Sequence, residues 1–284
     1  MANKKLKAPV NIPVEKIHPF KGHPYKVIDN EEMNNLIESI QQKGVISPIV
    51  VRPLENTEDE YEIISGHRRL RASVKAGLET VPALIYAVSR DEAAIMLVDS
   101  NLHREHILPS ERAFAYKLKM EAMSRQGQRT DLTCGQVGHK SRDDVSETES
   151  GRQVQRYIRL TYLIPELLDL VDEERIAFTP AVELSYLNEV EQADLVEEIR
   201  VCDATPNLSQ AQRLRAISRE EGLTPEHIGE ILAEEKANQR EKIKIPAERI
   251  RKYFPKSYTT EQIEEAIIKI CENRYRARQG RDAR

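Results

Sequence analysis

Apolar residues recur at helical spacing across residues 29–44. Met33, Leu36, Ile37 and Ile40 share one face, Asp29 or Asn30 offers an N-cap, and Gly44 offers a stop. The period then shortens. Ile49-Val50-Val51, Tyr61 to Ile64 and Val81 to Tyr86 are short runs of β-branched and aromatic residues between polar or Pro/Gly punctuation, and they predict three strands. A helix from Arg68 to Ala76, followed by Gly77, separates the last two. Ser89-Arg90-Asp91-Glu92 reads as a capping box that opens a further helix through Ala93, Ile95, Leu97 and Val98. The pattern predicts a small α/β domain over residues 1–106.

From Pro109 onward no run reads as a strand. Helices are expected at 110–126, 150–163, 183–200, 209–221, 225–237 and 260–277, with Ser209 and Thr224 as N-caps and Pro225 at a first helical position. Residues 127–149 are polar and irregular. The whole predicts an α+β chain: the α/β domain, an all-α domain over 107–205, and a helical C-terminal region over 206–284.

Charged residues make up 32% of the 284 and aromatics 5%, with no Trp, which favours water-exposed helical architecture over a large sheet core. No apolar run approaches the roughly 20 residues of a membrane span, and no membrane partner is expected. Cys134, Cys202 and Cys271 lie far apart and form no CxxC pair, so a reducing cytoplasm is the expected setting. The net charge of −4 hides a segregation. Twelve acidic residues face two arginines between Pro165 and Asp203, whereas basic residues exceed acidic ones by five from Lys244 to Arg284. A net-negative chain of this kind still presents a positive surface locally.

The chemistry concentrates at ISGHRRLRA, residues 64–72. A strand runs through Ser65 and Gly66 into a helix that begins beside Arg68 and Arg69. A helix N-terminus supplies unpaired N–H groups, glycine permits close backbone approach, and guanidinium groups bind phosphate oxygens in a fork. An ordinary exposed basic helix start reads equally well from these residues. DSNLHRE (99–105) adds an amide, a cation and a carboxylate at Asn101, Arg104 and Glu105, which one helical face can carry together. These groups suit a polyphosphate with Mg²⁺.

GVISPIVVRP (44–53), ISGHRRLRA and DSNLHREHILPSERAFAY, in that order, resemble the ParB/RepB family of DNA-partition proteins, and QVQRYIRLTYLIPEL (153–167) resembles its DNA-reading helix and following turn. The likeness is to the versions carried by conjugative elements and plasmids. It implies a ParB/sulfiredoxin-like N-terminal domain, a helix-turn-helix domain and a helical C-terminal region. It also implies a CTP-gated clamp: a homodimer that loads on double-stranded DNA at a palindromic, centromere-like site, works with a ParA-type ATPase, and is cytoplasmic and nucleoid-associated. By position, Gly66, Arg68 and Arg69 would hold the triphosphate of CTP. Asn101 would meet Mg²⁺ and phosphate, and Arg104 and Glu105 would support the site. Three departures stand out. His67 and Ser100 each replace a common Glu, and IHPFKGHPY (17–25) lacks the usual Gln-Pro-Arg. With Ser100 in place, any CTPase activity is expected to be slow.

The helix from Ser150 carries Arg152, Gln153, Gln155, Arg156 and Arg159 over an apolar back of Val154 and Ile158, a composition suited to major-groove edges. Without the family likeness, an exposed bundle helix fits as well. SRDDVSE (141–147) is the expected supporting helix. Ile263, Ile267 and Ile270 share a face expected to serve dimerisation, and the basic tail from Arg274 is expected to add non-specific DNA affinity. Competing readings are a helix-turn-helix regulator without nucleotide gating and a metal-dependent nuclease.

Overall fold

The computed structural model describes residues 8–131 except 56, 103 and 105 (127–131 as backbone only), residues 149–234, and residues 250, 252–255, 258, 259, 262, 263, 265–270, 272 and 274. The chain forms two compact units, Met1–Glu234 and Glu235–Arg284.

The first unit opens with a five-stranded mixed sheet of order β1-β5-β3-β4-β2. Its strands are β1 (Val10–Pro13), β2 (Ile17–His18), β3 (Ile49–Pro53), β4 (Tyr61–Ser65) and β5 (Thr80–Ile85). β3 is the centre: Ile49 pairs with Ala83 of β5 in parallel, and Val51 pairs with Ile63 of β4 antiparallel across a bulge between Val50 and Val51. Both faces are covered. Ile12, Ile17, Ile49, Val51, Ile63, Val81 and Ala83 bury one, while Ile64 and Val50 face the helices α3 (Arg90–Leu102) and α4 (Pro109–Asp131) on the other. β3, β4 and β5 match the expected strands. β1 and β2 were not expected, because four residues and two residues are too few to show a period.

α1 (Glu31–Lys43) is capped by the Asn30 side chain, which accepts from the Met33 N–H, and stops at Gly44, whose φ is 70°. It packs on α2 (His67–Lys75) through Met33, Ile40 and Ala72. The capping box at Ser89 forms as expected: Glu92 accepts from the Ser89 N–H and the Ser89 hydroxyl accepts from the Glu92 N–H.

α4 links sheet and helices. Ala115 and Ala122 face α3, Tyr116 packs on Val154 of α5 (Gly151–Leu160), and Ala113 joins the large helical core. That core runs through α6 (Pro165–Asp172), α7 (Phe178–Leu184), α8 (Glu189–Cys202), α9 (Leu208–Glu220) and α10 (Pro225–Ala233). Several boundaries correct the expectation. α6 and α7 are additional; Pro180 sits in the first turn of α7, where a missing N–H costs nothing. The expected helix at 183 starts instead at Glu189, behind an Asn188 capping box. Asn207, not Ser209, caps α9, because its side chain accepts from the Gln210 N–H while Gln210 reaches back. α5 ends at Leu160, and α10 ends at Ala233. The expected helix at 141–147 lies outside the described residues.

In the second unit, residues 262, 263, 265–270, 272 and 274 are helical. Ile263 and Ile267 are half-buried, whereas Ile268 and Ile270 are exposed.

Candidate functional site

The turn from β4 into α2 is built around Gly66. Its φ of +101° lies in the left-handed region, and a Cβ there would come within 2.9 Å of Ile49 Cγ2 and 3.3 Å of Arg69 Cζ. Backbone and space together require glycine. Gly66 occupies the N-cap and no side chain caps α2, so the first N–H groups of the helix keep their free donors.

Around this turn lies a cavity of about 230 Å³, lined by His23, Tyr25, Lys26, Val27 and Leu36 from the N-terminal segment and α1. Ser65, Gly66, His67, Arg68 and Arg69 of the turn, Asn101 from the end of α3 and Arg104 just beyond it complete the lining; because α3 stops at Leu102, Asn101 and Arg104 do not share a helical face as expected. Five of the six residues expected to hold nucleotide thus share one cavity. The sixth, Glu105, lies outside the described residues.

Each is held differently. Arg68 reaches the α1 carboxylate of Glu32 at 3.0 Å in an exposed pair. Arg69 Nη1 donates to the Ser47 and Pro48 carbonyls at 2.6 and 2.7 Å, tying the loop before β3 to the start of α2. Burial pulls its pKa down from the usual guanidinium range. Asn101 is buried; its Nδ2 donates to the Leu97 carbonyl at 2.7 Å and to Ser100 Oγ at 3.3 Å, which fixes the amide plane and assigns acceptance of any ligand proton or cation to Oδ1. Ser100 Oγ donates to the same carbonyl at 2.9 Å. Asp99 points elsewhere, to Lys119 Nζ of α4 at 2.6 Å. Arg104 lies over the Tyr25 ring, 5.9 Å from its centroid.

Sequence reasoning missed the aromatic wall. His23 and His67 stack with centroids 3.7 Å apart and planes 32° apart, and Tyr25 meets His23 edge-on. Burial, with the Arg104 charge nearby, lowers the His23 pKa to about 4 although a backbone hydrogen bond at Tyr25 opposes it. Burial, then His23 and Arg104, lowers His67 to about 3. Burial raises the Tyr25 phenol. Two of the three departures from the family pattern, in IHPFKGHPY and at His67, meet here, although nothing along the sequence pairs them.

Among the described residues no three His, Cys, Asp or Glu side chains cluster as a metal site, and no helix is long and apolar enough to cross a membrane.

Ser150 caps α5, its side chain accepting from the Gln153 N–H, and the helix buries Val154 and Leu160. Arg152 is exposed. Arg156 donates to Gln153 and to Thr179 Oγ1 at 3.2 and 3.0 Å and lies over Phe178. Gln155 turns to Met120 Sδ of α4 at 3.5 Å. Arg159 donates to Ser185 Oγ and to the Ser185 carbonyl at 3.1 and 2.8 Å, between the rings of Tyr162 and Tyr186.

Residues 2–102 match the family model described as the ParB N-terminal domain. A nucleoid occlusion protein of Listeria innocua is 30% identical over 199 residues, covering 67% of this chain and 68% of its own. The chromosome-partitioning protein ParB of Caulobacter vibrioides is 35% identical over 138 residues, 48% of this chain and 43% of that one. Among solved structures, the C-terminally truncated ParB of Caulobacter crescentus complexed with CTP-gamma-S is 24% identical with a TM-score of 0.33, covering 68% of this chain and 99% of that one. With this extent of similarity along two thirds of both chains, the chain belongs to the ParB family.

Proposed function

We propose that this protein is a sequence-specific DNA-binding partition protein that works as a CTP-gated clamp. The convergence of Gly66, Arg68, Arg69, Asn101 and Arg104, drawn from two stretches more than thirty residues apart, on one cavity carries the reading. A free helix N-terminus, three guanidinium groups and a fixed amide oxygen match the charge and shape of a triphosphate. Asn101 Oδ1 is the described side-chain oxygen suited to meet the Mg²⁺ that accompanies it. A relative named as a chromosome-partitioning protein supports the partition reading.

Residues 1–106 would carry nucleotide and 107–205 would carry DNA, with Arg152, Gln153 and Arg156 reading base edges and Gln155 and Arg159 shaping the helix that presents them. The C-terminal region over 206–284 would join two copies. A ParA-type ATPase is the expected partner, and the setting is the nucleoid of a chromosome, plasmid or conjugative element.

The gate has a direct test. Protein is loaded with CTP and Mg²⁺ on DNA carrying its palindromic site, with both ends blocked or one end open, and then washed in high salt. Retention on blocked DNA alone is the expected result. Equal loss from both substrates would contradict a closed clamp and leave a simple helix-turn-helix binder.

A further inference from the structure

The cavity brings together two histidines that a triphosphate site does not require. His23 and His67 stack at 3.7 Å, and both line the cavity. The charged groups that share its wall are all cationic: Lys26 from the loop after β2, Arg68 and Arg69 from α2, and Arg104 beyond α3. Among the described lining residues there is no carboxylate. Several carboxylates of neighbouring elements are already engaged. Glu32 of α1 holds Arg68, Glu111 of α4 accepts from the Lys26 N–H, Asp99 of α3 holds Lys119, and Asp169 and Asp172 of α6 hold Lys26 Nζ. Tyr25 stands beside His23 as a neutral phenol. Among the described residues the two rings therefore sit in a positive, partly dehydrated field with no lining carboxylate to balance an imidazolium, and His67 Nε2 is buried without a hydrogen-bond partner.

We propose that the His23–His67 pair is a proton-coupled counter-charge: when a triphosphate enters the cavity, one imidazole of the pair takes up a proton from solvent, so that nucleotide is held more tightly in mildly acidic solution. This rests on the nucleotide reading above. A triphosphate brings several negative charges to within a few ångströms of the rings, which reverses the sign of the local field and favours the imidazolium. Two imidazolium rings in stacking contact repel, so the pair accepts one proton and not two. The side chain at 67 decides the behaviour. A carboxylate there would oppose the phosphates at every pH above its own titration, and an amide would take up no proton. Ring burial explains why both imidazoles are neutral near pH 7: His23 titrates at about 4 and His67 at about 3. Linkage then fixes the direction, because the slope of log affinity against pH equals minus the number of protons taken up.

Calorimetric titration at pH 6, in two buffers of different ionisation enthalpy, counts protons on binding. The ligands are CTP with Mg²⁺ and, separately, inorganic tripolyphosphate with Mg²⁺. Wild type is compared with the His23→Gln/His67→Gln variant, whose ligands carry the same protons of their own. Wild type is expected to take up about one proton more than the variant, and to lose about tenfold more affinity between pH 5.5 and 7.5. Carbon-13 NMR of the imidazole rings in wild type gives the same answer without a variant: one ring should become charged at pH 6 on adding ligand. Binding with equal proton counts, or with both rings still neutral, would overturn the inference and leave the nucleotide site standing. Absence of binding by either ligand to wild type at both pH values would overturn the nucleotide reading and this inference with it. Tripolyphosphate binding with proton uptake, where CTP fails, would uphold the inference and correct the base.

Discussion

Gly66 rests against Ile49 so closely that a Cβ on the glycine would lie 2.9 Å from Ile49 Cγ2. Ile49 is fully buried at the centre of the sheet and cannot give way. Gly66→Ala is therefore expected to cost about 1–3 kcal/mol from backbone strain, with displacement of Arg69 from the Ser47 and Pro48 carbonyls. Denaturant melts with and without CTP check both parts. An alanine variant with wild-type stability would contradict this account of the turn.

Arg156 and Arg159 are expected to separate. Arg156 is tied to the half-buried side chains of Gln153 and Thr179, which it can release, so Arg156→Ala should weaken the cognate site by about 1–3 kcal/mol and leave unrelated DNA nearly unaffected. Arg159 holds a backbone carbonyl between two tyrosines. Arg159→Ala should lower the melting temperature and weaken all DNA alike. Gel shifts on cognate and scrambled duplexes, beside thermal melts, distinguish the two patterns.

The ligand-free protein should lose stability on mild acidification. His23 and His67 titrate at about 4 and 3 when folded, below their ordinary 6.5. As pH falls below about 6.5, the unfolded chain binds those protons first, so stability declines until the folded pKa values are reached. Between pH 7 and pH 5 the His23→Gln/His67→Gln variant should show the shallower decline in urea melts. Parallel declines would mean that the rings are solvated.

Turnover should be slow. Ser100 donates its hydroxyl to the Leu97 carbonyl, and Asp99 is committed to Lys119, so neither is placed to activate water. Phosphate release with cognate DNA should rise in Ser100→Glu. Fast release by wild type, unchanged by the substitution, would assign the water to another group.

The cavity was legible in outline because the residues proposed to hold phosphate sit in two compact motifs, and Gly66 and the Ser89 box carry strong local signals. The His23–His67 stack was not legible. The partners are more than forty residues apart, and tertiary contacts of the N-terminal segment, among them the β2–β4 pairing and the burial of Phe20 and Tyr25, bring them together. α6 and α7 were missed for a different reason. At eight and seven residues, with prolines in or near their first turns, they are stabilised by the shared helical core and not by their own periodicity. The roles of Arg159 and Gln155 also depended on what packs beside α5, which spacing along one helix does not reveal.

The central claim is that the Gly66–Asn101 cavity holds CTP. Titrating purified protein with CTP and Mg²⁺, in the presence and absence of palindromic DNA, tests it most directly. Arg68 makes only an exposed pair with Glu32, worth about 0.2–1 kcal/mol at most, so Arg68→Ala should unfold like wild type. Its affinity for CTP should nevertheless fall by about tenfold or more, as a charge-assisted phosphate contact requires. The account predicts saturable CTP binding by wild type that Arg68→Ala and Asn101→Ala each weaken strongly. Wild-type protein that binds no CTP under either condition, or variants that bind as well as wild type, would contradict it.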